Sequence, residues 1–110
     1  MAETLLYQGV PVNPVNGLRL RLGFQAKTLA GDHTVGPQDA QFLAFDPDGS
    51  DRDITVPAEE VSQGRFMFIG HSGSGNTLQV KTDGGVNVGT TIAAGAGAWF
   101  VCDGSSWIKF

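Results

Sequence analysis

Between Gly17 and Phe24 the chain reads Gly-Leu-Arg-Leu-Arg-Leu-Gly-Phe, apolar at every second position. On an extended backbone Leu18, Leu20, Leu22 and Phe24 share one face, and Arg19 and Arg21 take the other. A period of two marks a half-buried strand and does not line up as one stripe on a helix. Thr77-Leu78-Gln79-Val80-Lys81 repeats the pattern, with Leu78 and Val80 inward. The runs Ala40 to Phe45 and Arg65 to Ile69 are apolar on both faces and predict strands covered on both sides. Dense turn chemistry separates the runs: Asp46-Pro47-Asp48-Gly49-Ser50-Asp51, then His71 through Asn76, Thr82-Asp83-Gly84-Gly85 and Asp103-Gly104. Shorter strands are predicted at 53–56, 86–88, 98–102 and 106–110, with one helical turn within 58–63 and a loop over 89–97. No segment carries a helical stripe. Roughly seven to nine short, turn-bounded strands predict an all-β domain, a small β-sandwich or barrel. The expected core is Leu20, Leu22, Phe66, Phe68, Leu78, Val80 and Val101.

A chain of 110 residues fits one domain. Charged residues make up only 16% of it, against roughly 25% in an ordinary soluble domain. Part of its surface is therefore expected to be covered by something else. The net charge of −4 leaves no basic footprint for nucleic acid and makes an anionic membrane a poor partner. The longest mostly apolar stretch, Ile92 to Cys102, is about half a membrane span and is interrupted by Gly95 and Gly97. The single cysteine, Cys102, excludes an internal disulfide framework and fits synthesis in a reducing cytosol. The first residues lack the basic and apolar regions of a signal peptide.

Residues 1–16 read as an extended N-terminal arm and residues 17–110 as the β-sandwich domain. Pro11 and Pro14 push their predecessors toward extended geometry. Leu5, Leu6, Tyr7, Val10, Val12 and Val15 make the arm apolar enough to want a surface, either on its own domain or on a neighbour. With Phe45, Met67 and Trp99 from the two-faced strands and the C-terminal region, they form the candidate interface.

Chemical sites are not expected. His71 and Ser72 are adjacent on a glycine-rich turn, where nothing supplies the geometry of a nucleophile, base and orienting acid. Gly73-Ser74-Gly75-Asn76 lacks the lysine and following helix of a phosphate loop. Asp46 to Asp53 is rich in carboxylates, but its glycine comes too early for a calcium hand. Its aspartates read first as turn residues holding the backbone. His33, His71 and Cys102 have no zinc spacing, and Cys102 reads as a small buried side chain. Trp99, Trp107 and Tyr7 leave a sugar-stacking platform open as an alternative. No catalytic, cofactor or metal residue is assigned, and the chain is not expected to be an enzyme.

The second half carries a resemblance. Ile54-Thr55-Val56-Pro57, Gly64-Arg65-Phe66-Met67-Phe68-Ile69, and Asn76-Thr77-Leu78-Gln79-Val80-Lys81-Thr82-Asp83-Gly84-Gly85 come first. Ala93-Ala94-Gly95, Ala98-Trp99-Phe100-Val101-Cys102-Asp103-Gly104 and Trp107 follow. Together, over about residues 52–110, they resemble a module of tailed-phage virion proteins, found in capsid decoration (cement, or head-stabilising) proteins and in fibre proteins. One departure is His71, where the module more often has Asn. The resemblance implies a jelly-roll-like fold and a homo-oligomer, a trimer by the symmetry axes of a shell. It also implies the major capsid protein as partner, and a place on the capsid exterior after synthesis in the host cytoplasm. Phe100 and Trp107 would be core or interface residues, and Gly84 and Gly104 would hold hairpin turns. The alternatives are a small tail or fibre accessory protein and a carbohydrate-binding module.

Overall fold

The computed structural model describes residues 5–7, 10–12, 23–36 and 39–110. Among the described residues eleven strands form: β1 (Leu5–Tyr7), β2 (Val10–Val12), β3 (Phe24–Thr28), β4 (His33–Thr34), β5 (Phe42–Asp46), β6 (Arg52–Thr55), β7 (Phe66–His71), β8 (Thr77–Lys81), β9 (Ile92–Ala93), β10 (Gly97–Cys102) and β11 (Trp107–Lys109). A 3-10 turn, Glu59–Val61, lies within the expected helical turn. The domain is all-β, as predicted, and its two main sheets pack into a small sandwich. One has five strands in the order β11-β10-β7-β5-β3, the other four in the order β4-β6-β8-β9.

The winding between the sheets is specific. From β3 to β8 the chain alternates strictly from one sheet to the other. Like strands therefore stack in parallel: β3 on β5 on β7, and β4 on β6 on β8. Parallel neighbours need a crossover connection, usually a helix; here each crossover runs through a strand of the facing sheet. The result is a coil of three turns. The last turn is closed by antiparallel strands, β9 on β8, β10 on β7 and β11 on β10.

Carboxylates brace successive turns at one end. The Asp53 N–H donates to Asp32 Oδ1 at 2.9 Å, and the Thr77 N–H to Asp51 Oδ1 at 2.9 Å. Asp48, Gly49 and Asn76 take positive φ in these bends. At the later turns Gly85 and Gly104 have positive φ. The first is the neighbour of Gly84, which the resemblance had favoured.

The core fills the space between the sheets. Leu43, Phe45, Met67, Ile69 and Phe100 face Ile54, Val56, Leu78 and Val80, all at most 1% exposed. Leu78 and Val80 are core as expected. Phe66, Phe68 and Val101 are not: they are half-buried, and their neighbours Met67, Ile69, Phe100 and Cys102 point inward instead. These strands are apolar on both faces, so alternation alone leaves the inward parity open. Leu20 and Leu22 lie outside the described residues.

Other differences are local. Of the strand expected over 17–24, residues 17–22 lie outside the described residues, and Phe24 opens β3. Val86 to Val88 forms only a bridge from Asn87 to Lys81, while Ile92–Ala93, expected as loop, pairs with β8. Within the expected arm, β1 pairs antiparallel with β2, so that Leu5 lies opposite Val12 and Tyr7 opposite Val10. Val15 and the boundary expected between residues 16 and 17 fall outside the described residues.

Candidate functional site: an aromatic sheet face

The outer face of the five-stranded sheet is built by register. Phe24 pairs with Phe42, Phe42 with Phe68, and Phe68 with Trp99. Trp99 and Phe110 exchange backbone hydrogen bonds of 3.3 and 2.8 Å. Residues directly opposite one another share a sheet face, so aromatic side chains stand in single file across β3, β5, β7 and β10 and end at Phe110, just past β11. Phe24 and Phe110 are each 72% exposed and Trp99 38%. The Trp99 ring stands edge-on to Phe42 and Phe68, at 5.5 and 5.4 Å between centroids, and tilted against Phe66 at 5.9 Å. Edge-to-face contact at this range suits the ring quadrupoles.

The flanking rows are apolar too. On one side Ala26, Ala44, Gly70 and Gly97 stand in register. The Phe68 ring leans over the two glycines. A Cβ on Gly97 would collide with Phe68 Cζ, and one on Gly70 would sit 3.3 Å from Cε1. On the other side Phe66, Val101 and Ile108 stand in register. None of these three rows holds a charged side chain. The opposite surface of the sandwich contrasts with this: Thr55, Thr77 and Gln79 point outward there beside the Lys81–Asp53 ion pair at 3.1 Å.

Of the interface candidates, Trp99 stands on this face. Phe45 and Met67 are in the interior, at 0% and 1% exposure, facing the other sheet. Leu5, Leu6, Tyr7, Val10 and Val12 lie on the β1–β2 hairpin. The two tryptophans divide between the two sides of the sheet. Trp107 is buried among the core residues, and its Nε1–H donates to the Pro57 carbonyl at 2.8 Å. Phe42, Phe66, Phe68 and Phe110 escaped the sequence reading as face residues. The signal was present in the double-faced runs, but only the register places them in rows.

The polar candidates are accounted for within the fold. His71 is buried; its Nδ1 accepts from the Gly73 N–H at 3.1 Å and its Nε2 lies 3.0 Å from the Asn76 carbonyl. With Nδ1 accepting, Nε2 carries the hydrogen, and the ring acts as a brace across the 71–76 bend. A shallow polar cleft of about 150 Å3 lies beside it, lined by Asp46, Asp48, Gly49, Ser74, Gly75 and Asn76. Asp46 Oδ1 already accepts from the Asp48 N–H at 3.0 Å. Among the described residues no group of three His, Cys, Asp or Glu is placed to hold a metal ion.

A second cluster ties the first coil turn to β7. His33 Nε2 lies 3.0 Å from Asp39 Oδ2, which also accepts from the Gly36 N–H at 3.1 Å. Arg65 donates to the Gly36 carbonyl at 3.1 Å. Burial pushes the Asp39 carboxyl up. The Gly36 and His33 hydrogen bonds and the His33 and Arg65 charges outweigh it and hold Asp39 below its usual 3.8. Burial also lowers Arg65, against the pull of Asp39.

Comparison with protein-family models, with characterised proteins and with solved structures finds no match.

Proposed function

We propose that this chain is a structural virion protein that binds the outer surface of a phage capsid and stabilises it. One observation supports the reading above others: the sandwich has two unlike sides. An uncharged aromatic face on one side and a polar, ion-paired sheet on the other suit a subunit that hides one side in an assembly and shows the other to water. Contiguous exposed apolar patches of this kind mark interaction sites in soluble proteins. The resemblance of residues 52–110 to the phage module supplies the kind of assembly, with the major capsid protein as partner. The three-turn coil favours a second reading, a tail or fibre accessory protein, because stacked turns are a way of building elongated shafts.

Mixing the purified chain with shells that lack it tests the first reading. Saturable binding at a fixed number of copies per shell is expected, together with greater resistance of the shell to heat. Binding to isolated tails instead of shells would transfer the role to the second reading.

A further inference from the structure

We infer that the aromatic face of the five-stranded sheet is the contact between two copies of this chain. Three observations carry it. The first is area. Taking ~200 Å2 for a fully exposed aromatic side chain, Phe24, Phe110 and Trp99 alone present about 360 Å2. Ile108, 41% exposed, and the half-buried Phe42, Phe66, Phe68 and Val101 bring the face to roughly 500–700 Å2. That approaches the ~800 Å2 per partner of a standard interface.

The second observation is charge. The chain carries a net −4, so identical copies repel wherever their carboxylates meet. Asp46, Asp48 and Asp51 lie on or beside one bend, Asp103 on another and Asp53 on the polar sheet. The three outer rows of the five-stranded sheet contain no charged side chain, and Asp46 ends β5 in the row beyond Ala44. Two copies stacked there bury no charged side chain and keep their acidic loops at the rim.

The third is shape. Phe68 folds over Gly70 and Gly97, filling what would be a trough beside the aromatic row. The face is thereby levelled, and sheets pack face to face at about 10 Å with their side chains interdigitated. A patch that repeats across a two-fold axis needs only to match itself. An uncharged, levelled sheet does so more readily than it matches a polar surface of another protein.

The mass of the full-length chain in solution, by light scattering or sedimentation equilibrium, tests the inference without any shell present. The wild-type chain is expected at a multiple of 11.6 kDa, and the association should persist in strong salt, because it is apolar. The double variant Phe24→Asp, Phe110→Asp changes two residues that are 72% exposed, so its far-UV circular dichroism should be unchanged. Its dissociation constant should rise by at least ~100-fold, because each copy would bury two unpaired charges. Thr55→Asp on the polar sheet should leave the mass unaltered. If the double variant fails to fold, Ile108→Lys on β11 must show the same loss. A wild-type chain that stays monomeric, whether or not it binds vesicles or another protein, overturns the inference. So does a folded face variant of wild-type mass. A monomer that still binds shells overturns this inference alone; an oligomer that ignores shells overturns only the decoration reading.

Discussion

Phe100 and Trp99 are neighbours on β10 with opposite fates: Phe100 is 0% exposed between the sheets and Trp99 38% exposed on the aromatic face. Replacing each by alanine separates what folds the domain from what its surface does. Phe100→Ala empties a site packed on all sides, and buried phenylalanine-to-alanine changes cost about 3–5 kcal/mol. A small domain has about 5–15 kcal/mol in total, so the variant should be close to unfolding. At roughly 4–8 °C per kcal/mol its melting temperature should fall by at least ~12 °C. Trp99→Ala loses two edge-on ring contacts, each worth about 0.5–1.5 kcal/mol. It leaves no enclosed cavity, because solvent already reaches the site. Its expected cost is ~1–3 kcal/mol, and its self-association should weaken. Urea unfolding followed by far-UV circular dichroism at low protein concentration measures both without interference from assembly. Equal losses, or a larger loss for Trp99→Ala, would refute the inward parity assigned to β10 and with it the outer aromatic row.

Gly97→Ala drives a methyl group into the Phe68 ring; because that ring lies on the outer face and can swing away, a destabilisation of about 1–3 kcal/mol is expected, and a thermal melt like the wild type would show that Phe68 does not lie over the glycine. Asp39 is held below its usual 3.8 by its partners, so its stabilising contribution is complete above that value and is lost as pH falls through the lowered one. Asp39→Asn should therefore lose stability at neutral pH and show a shallower acid decline than the wild type in urea titrations on either side of that range; parallel pH profiles would contradict the pairing with His33 and Arg65. Trp107→Phe keeps most of the buried ring but removes the donor to the Pro57 carbonyl, with an expected cost of about 1–3 kcal/mol, read from the urea midpoint; an unchanged midpoint would mean that this hydrogen bond adds nothing.

Local alternation located most of the strands, because Thr77 to Lys81 and the runs around Phe42, Phe66 and Phe100 signal their period over a few residues. Which face turns inward was legible only where one face was polar. Leu78 and Val80 stand opposite Gln79 and were assigned correctly. Phe66 and Phe68 alternate with Met67 and Ile69, so the period alone does not choose between the pairs, and the register buries Met67 and Ile69. The coil was not legible because the pairing of β3 with β5 and of β5 with β7 is long-range and leaves no local mark. β4, only His33–Thr34, is too short to show a period. The aromatic row combines both difficulties: each phenylalanine was visible singly, but their alignment depends on pairings made across the whole chain.

The coil also bears on how such a chain can change length through descent. In a sandwich built of hairpins, an insertion lengthens a loop or adds a strand at an edge. Here the stretch from Phe24 to Phe42 is one full circuit that begins and ends at the same height in the same sheet. Duplicating or deleting such a circuit would preserve the register of every other strand and the inward parity of each, whereas a change of a single residue within a strand would exchange core for surface. Relatives of this fold are therefore expected to differ in length by whole circuits, with the strands that close the last turn kept at the end.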